Sequence, residues 1–125
     1  MTPDQAFFEF VKLNHENVYF NKFPQSVNLK QPTPKILVTN VSETKTDDKD
    51  KKGRYEVIYR VEVIGSNYMN CKSTAYTIRL DLINSVDENI YLIVFDNETY
   101  QANDEYEVFT IITDYITHIN YDAGT

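Results

Sequence analysis

The chain has 125 residues, 42% of them hydrophobic, which suits one domain with a core of its own and excludes the lean composition of a disordered segment. Its net charge of −7 is opposite to the basic stripe that tracks phosphate, so nucleic acid and anionic membranes are disfavoured as partners. The single cysteine, Cys71, has no second thiol for an internal disulfide or a zinc knuckle.

The first residues, "MTPDQAFFEFVKLN", lack the basic start, long apolar run and small-residue cleavage site of a secretory signal. No stretch approaches the ~18 apolar residues of a spanning helix. A cytoplasmic protein is expected, and the sequons at Asn40 and Asn97 are then chance matches in an Asn-rich chain.

A helix is predicted over 3–13. Thr2 and Gln5 make a capping box, Pro3 suits the first helical position, and Ala6, Phe7, Phe10 and Val11 share one face. Phe8 lies off that face, for a staple or a partner. "NVYFNKF" (17–23) reads as a strand ended by Pro24, "NLKQPTPK" as an extended connector, and "KILVTNVS" (35–42) as a β-branched strand. A polar stretch, "ETKTDDKDKKGR", follows as a solvated hairpin loop over 43–53. Its lysines alternate with the carboxylates and would repel a calcium ion.

"RYEVIYRVEVI" (54–64) alternates strictly, with Tyr55, Val57, Tyr59, Val61 and Val63 on one face. It reads as a half-buried strand whose apolar face packs on the helices. "GSNYMNCK" reads as a turn and "STAYTIRLDLI" (73–83) as the hairpin partner, with Arg54 or Arg60 opposite Asp81. "IYLIVF" (90–95), apolar on both faces, is expected as a central strand. Over 103–119 a capping Asn103 or Asp104, early Glu105 and Glu107, and a stripe of Phe109, Ile112, Ile116 and Ile119 predict a C-terminal helix. The β-branched content leaves a strand open. The expected fold is α+β: one domain, 1–125, with a four- or five-stranded, mainly antiparallel sheet packed by an N-terminal and a C-terminal helix.

The inventory of chemistry is thin. His15 and His118 stand far apart without a nucleophile motif, and Cys71 has no evident partner to lower its pKa. The three glycines are isolated, which excludes a phosphate-binding loop, and no metal motif occurs. The acidic groups at Asp87–Glu88, Asp96–Glu98 and Asp104–Glu107 border elements, where turn and capping roles account for them. No catalytic residue, cofactor or metal is expected. The apolar content exceeds what one small sheet needs to cover, which points to oligomer faces or an apolar groove.

The central region, "PTPKILVTNVSETKTDDKDKKGRYEVIYRVEVIGSNYMNCKSTAYTIRLDL", resembles the core of SecB-type export chaperones. In that family a Pro-led strand, a variable loop, a "YEV-x-x-x-V-x-V" strand and a "TA-aromatic" strand follow one another. "NVYFNKF" would match the first strand, and "EVFTIITDYITHIN" the long C-terminal helix. The resemblance implies a dimer or tetramer, no enzyme and no cofactor, and apolar grooves that hold unfolded polypeptide. Such grooves would be lined here by Phe20, Phe23, Tyr76 and Phe109. The positions that engage the SecA motor fall on Arg79, Asn17 and Asn21, not on the family's acidic residues, so that docking surface is not implied.

Two other functions stay open. One is a small phage or plasmid structural or assembly protein that docks one partner through its acidic surface and sheet edge. The other is a small-ligand binder or enzyme with a cone-shaped cavity of the NTF2 type, for which His15 and Asp81 are the weak candidates.

Overall fold

The computed structural model describes residues 2–45, 54–88 and 90–120. The order is α1 (Pro3–Lys12), β1 (Val18–Phe20), β2 (Lys35–Lys45), β3 (Arg54–Gly65), α2 (Tyr68–Ile83), β4 (Ile90–Asn103) and β5 (Val108–Asn120). The strands form one sheet in the order β1-β2-β3-β5-β4. It is a mixed sheet, where a mainly antiparallel one was expected: β1 runs parallel to β2, and the other three pairings are antiparallel.

The capping box forms as read, with Thr2 Oγ1 accepting from the Gln5 amide at 3.2 Å and Gln5 Oε1 accepting from the Thr2 amide at 2.9 Å. Ala6, Phe7 and Val11 are buried below α1. Phe8 packs edge-on against Phe20, centroids 5.8 Å apart. β2 and β3 pair as a hairpin, with Val41 bulged out between Asn40 and Ser42. The expected loop begins later than position 43, since 43–45 belong to β2; its remainder, 46–53, lies outside the described residues.

Two elements are of the opposite type to that expected, and both exchanges have a physical reason. Residues 73–83 are not a strand but part of α2. Cys71, Ala75, Ile78 and Leu82 recur at helical spacing and are buried, and Asn67 caps the start by accepting from the Asn70 amide. The period-two set Thr74, Tyr76 and Leu80 is divided between other sides of the helix, with Tyr76 and Leu80 in solvent. Conversely, the C-terminal helix expected over 103–119 is strand β5. Ile111, Thr113, Tyr115, Thr117 and Ile119 are all buried, a strict alternation masked because two of the five are threonines. Thr113 satisfies its hydroxyl by donating to the Val61 carbonyl at 3.1 Å. Asn103 serves a turn and not a helix start, accepting from the Tyr106 amide at 3.2 Å. The SecB likeness placed these two stretches as strand and helix; this chain has helix and strand.

These exchanges move β3 to the middle, paired with β2 on one side and β5 on the other over twelve residue pairs. "IYLIVF" is therefore not central but the start of edge strand β4: Ile90 and Ile93 point inward, while Tyr91, Leu92 and Val94 are exposed. Arg60 pairs with Asp114 across β5 and not with Asp81, which faces Asn14 and His15.

Both helices lie on one face of the sheet. Phe7 stacks on Tyr59, ring centroids 4.2 Å apart, and reaches Tyr115 at 6.3 Å. α2 covers β3, β5 and β4, and Val57, Tyr59, Val61 and Val63 of "RYEVIYRVEVI" are buried on the helix side. Gly65 permits a close approach: a Cβ there would stand 3.0 Å from the Gln31 carbonyl and 3.1 Å from Cys71 Sγ. The connector and the start of α2 thereby close over the end of β3.

Candidate protein-docking surface

The polar geometry concentrates where α2 meets β4 and where β4 turns into β5. Glu98 projects toward α2 and accepts from Lys72 Nζ and from Arg79, the latter at 3.0 Å. The Arg79 guanidinium also lies 3.8 Å from the centre of the Phe95 ring. One carboxylate on the edge strand thus locks two cations of one helix, which fixes β4 against α2.

Beyond Glu98 the chain runs into an acidic turn between β4 and β5, where Asp104 and Glu105 are exposed and Glu107 meets Lys30 at 3.2 Å. Glu107 has φ 54°, the left-handed region, which costs a non-glycine residue about 1–2 kcal/mol. Beside this turn lies an open hollow of about 510 Å³, with Val27, Leu29 and Val108 as apolar lining and Tyr106, Lys30 and Glu105 among its other walls. Apolar, aromatic and charged side chains together are the composition of a protein-binding patch. Among the described residues β4 is an edge strand of the sheet, the kind of edge to which a further strand can be added.

The four residues expected to line a client groove are not gathered into one. Phe20 ends β1 against Phe8, and Phe23 packs on Tyr19 with centroids 5.4 Å apart. Phe109 begins β5 against Tyr68 and Tyr100, at 6.1 and 6.3 Å. Tyr76 stands on the outer side of α2, 56% exposed. The sequence reading missed Lys72, Arg79 and Glu98 as a unit, because only an α2 helix brings Lys72 and Arg79, seven residues apart, onto one side.

His15 and Asp81 do approach each other, at 3.8 Å, and His15, though not Asp81, lines a hollow of about 220 Å³ with Asn14, Thr33 and Thr74. Burial holds the His15 pKa below its ordinary value, partly offset by the Asp81 charge. His118 instead lies 3.6 Å from Glu56 on the other face of the sheet. Cys71 is fully buried, not in a polar turn, and burial pushes its thiol up to about 11, away from nucleophile chemistry. Among the described residues no group of three or more His, Cys, Asp and Glu side chains could hold a metal, and no helix is long and apolar enough to cross a membrane.

No protein-family model and no curated protein matches the chain. Its fold is similar to that of a chain from a solved structure titled "Virion of native gene transfer agent (GTA) particle". The TM-score is 0.59 at 14% sequence identity, and the match covers 94% of this chain and 86% of that one.

Proposed function

We propose that this protein is a structural or assembly component of a phage-like particle and docks one folded protein partner. The observation that carries the reading is the likeness over 94% of the chain to a chain of a gene transfer agent virion. The edge strand β4, the hollow beside the β4–β5 turn and the exposed Asp104 and Glu105 of that turn supply a surface suited to such docking. The turn favours a partner with a basic counter-surface, since complementary charge steers encounter and selects partners. The reaction inventory is empty on this reading: the protein binds, and carries out no chemistry.

The test is density-gradient fractionation of particles from cells that express the tagged chain. Wild type should sediment with the particles, and the D104K/E105K variant should stay at the top. Wild type at the top, bound there to unfolded polypeptide, would overturn the reading in favour of SecB-like client holding.

A further inference from the structure

α2 is apolar on two opposite sides. Cys71, Ala75, Ile78 and Leu82 fall within about 60° on the helical wheel and are buried against the sheet. Met69, Tyr76, Leu80 and Ile83 fall within about 60° on the opposite side and are 42–68% exposed. On one flank between them lie Ser73, Thr77 and Asp81, the last held by Asn14 and His15. On the other flank, Lys72 and Arg79 are both engaged by Glu98.

The second uncovered apolar surface lies on the other side of the molecule. The sheet face away from the helices carries a row across three strands, Ile58, Ile116 and Val94, which stand in register. Leu92 and Ile112 extend it, and Leu92 and Val94 are 45% and 39% exposed. Within this face Arg60 and Asp114 pair through two hydrogen bonds of 2.9 and 3.2 Å, and the carboxylates of Glu56 and Glu62 stand on the same face, opposite His118 and Ile112.

We propose that the Met69–Tyr76–Leu80–Ile83 stripe of one copy packs on the Ile58–Ile116–Val94 face of another, in a head-to-tail contact. The occupant follows from two observations. The sheet face carries Glu56 and Glu62 beyond the Arg60–Asp114 pair, and the flank of the stripe carries Lys72 and Arg79 against the single Glu98, so the helix of one copy and the sheet face of another are complementary in charge. And the surfaces lie on opposite sides of a two-layer molecule. A helix-to-helix dimer would leave the sheet face open, and a sheet-to-sheet dimer would leave the stripe open; one head-to-tail contact covers both.

The dimensions fit. The sixteen residues of α2 span about 24 Å, and β3 and β5 run together for twelve pairs, about 40 Å. Helix on sheet is also how α2 packs within its own chain. Head-to-tail contacts are not self-limiting as dimers: they close into a ring or continue as a filament. The contact uses neither the outer edge of β4 nor the acidic turn, so it stands apart from the docking reading.

The experiment is native mass by light scattering for wild type, L80D, V94D and an equimolar mixture of the two variants, with circular dichroism confirming that each is folded. Wild type should exceed two copies of 14.6 kDa, and each variant alone should run as one copy. The mixture should give a dimer and nothing larger, because L80D keeps a good sheet face and V94D a good stripe. A monomeric wild type would overturn the proposal, as would assembly by L80D alone (sheet to sheet) or by V94D alone (helix to helix). Should either variant fail to fold, L80C and V94C under mild oxidation replace them. A crosslinked dimer found only when both are mixed is the expected result, and dimers formed equally by either alone would contradict it.

Discussion

The Phe7 ring lies stacked on Tyr59, planes 19° apart, and the Tyr59 hydroxyl donates to the Asp4 carboxylate one turn earlier on the same helix. A single residue of the central strand is thus held by α1 through both its ring and its hydroxyl. Asp4 also accepts from Asn40 on β2 at 3.1 Å, so α1 is fastened to two strands. Phe7→Ala should cost about 3–5 kcal/mol, as for a buried aromatic. Tyr59→Phe keeps the ring and loses the hydrogen bond to a charged acceptor, about 1.5–3 kcal/mol. Urea titration of both variants checks the order; a Phe7→Ala variant as stable as wild type would mean α1 is not part of the core.

The Lys72–Glu98–Arg79 cluster should behave as a unit. Glu98→Gln removes the shared anion from two partly buried cations and should cost about 1–3 kcal/mol. Arg79→Lys keeps the charge but loses the guanidinium contact over the Phe95 ring, about 0.5–1 kcal/mol. In a double-mutant cycle, Arg79→Gln and Glu98→Gln should fall short of additivity, and full additivity would show that the two do not act together.

Which parts of this were legible in the sequence is decided by signal strength. The capping box over Thr2 and Gln5 is local chemistry and was fully readable. The alternation of Val57, Tyr59, Val61 and Val63 was readable because every inward position is apolar. β5 carries the same alternation, but Thr113 and Thr117 occupy inward positions and Ile112 and Ile116 outward ones. The sequence therefore shows a helical stripe as plainly as a strand. α2 was misread for the converse reason: its apolar residues lie on two opposite sides, which mimics a period of two. That same doubled apolarity is what exposes Tyr76 and Leu80. The Glu98 cluster depends on the helical form of α2 and on β4 running past Phe95, neither of which the sequence pattern showed.

Cys71 should react slowly with a thiol reagent in the folded protein and at once when unfolded. Its folded pKa, near 11, lies above the unfolded value. The unfolded chain therefore loses the proton first, and the contribution of this group to stability is present below about pH 9 and lost as pH rises toward 11. Stability measured at pH 8 and pH 10.5 should fall more for wild type than for Cys71→Ala. Equal falls would place the titration elsewhere.

His15 has the opposite sign. Its folded pKa is depressed, so the unfolded chain binds the proton more readily and stability falls as pH drops below about 6.5. Melting temperatures at pH 7.5 and pH 5.5 should differ more for wild type than for His15→Gln, with the difference between the proteins isolating this group from the carboxylates. The same drop in both would show that His15 titrates as it does in water.

The central claim is that the protein docks a folded partner on a phage-like particle. The most direct measurement sets immobilised chain against purified particles and, separately, against a chemically unfolded polypeptide at matched concentration. Retention of particles by wild type, their loss with D104K/E105K, and indifference to the unfolded chain is the predicted result. Retention of the unfolded chain with no affinity for particles would contradict the account.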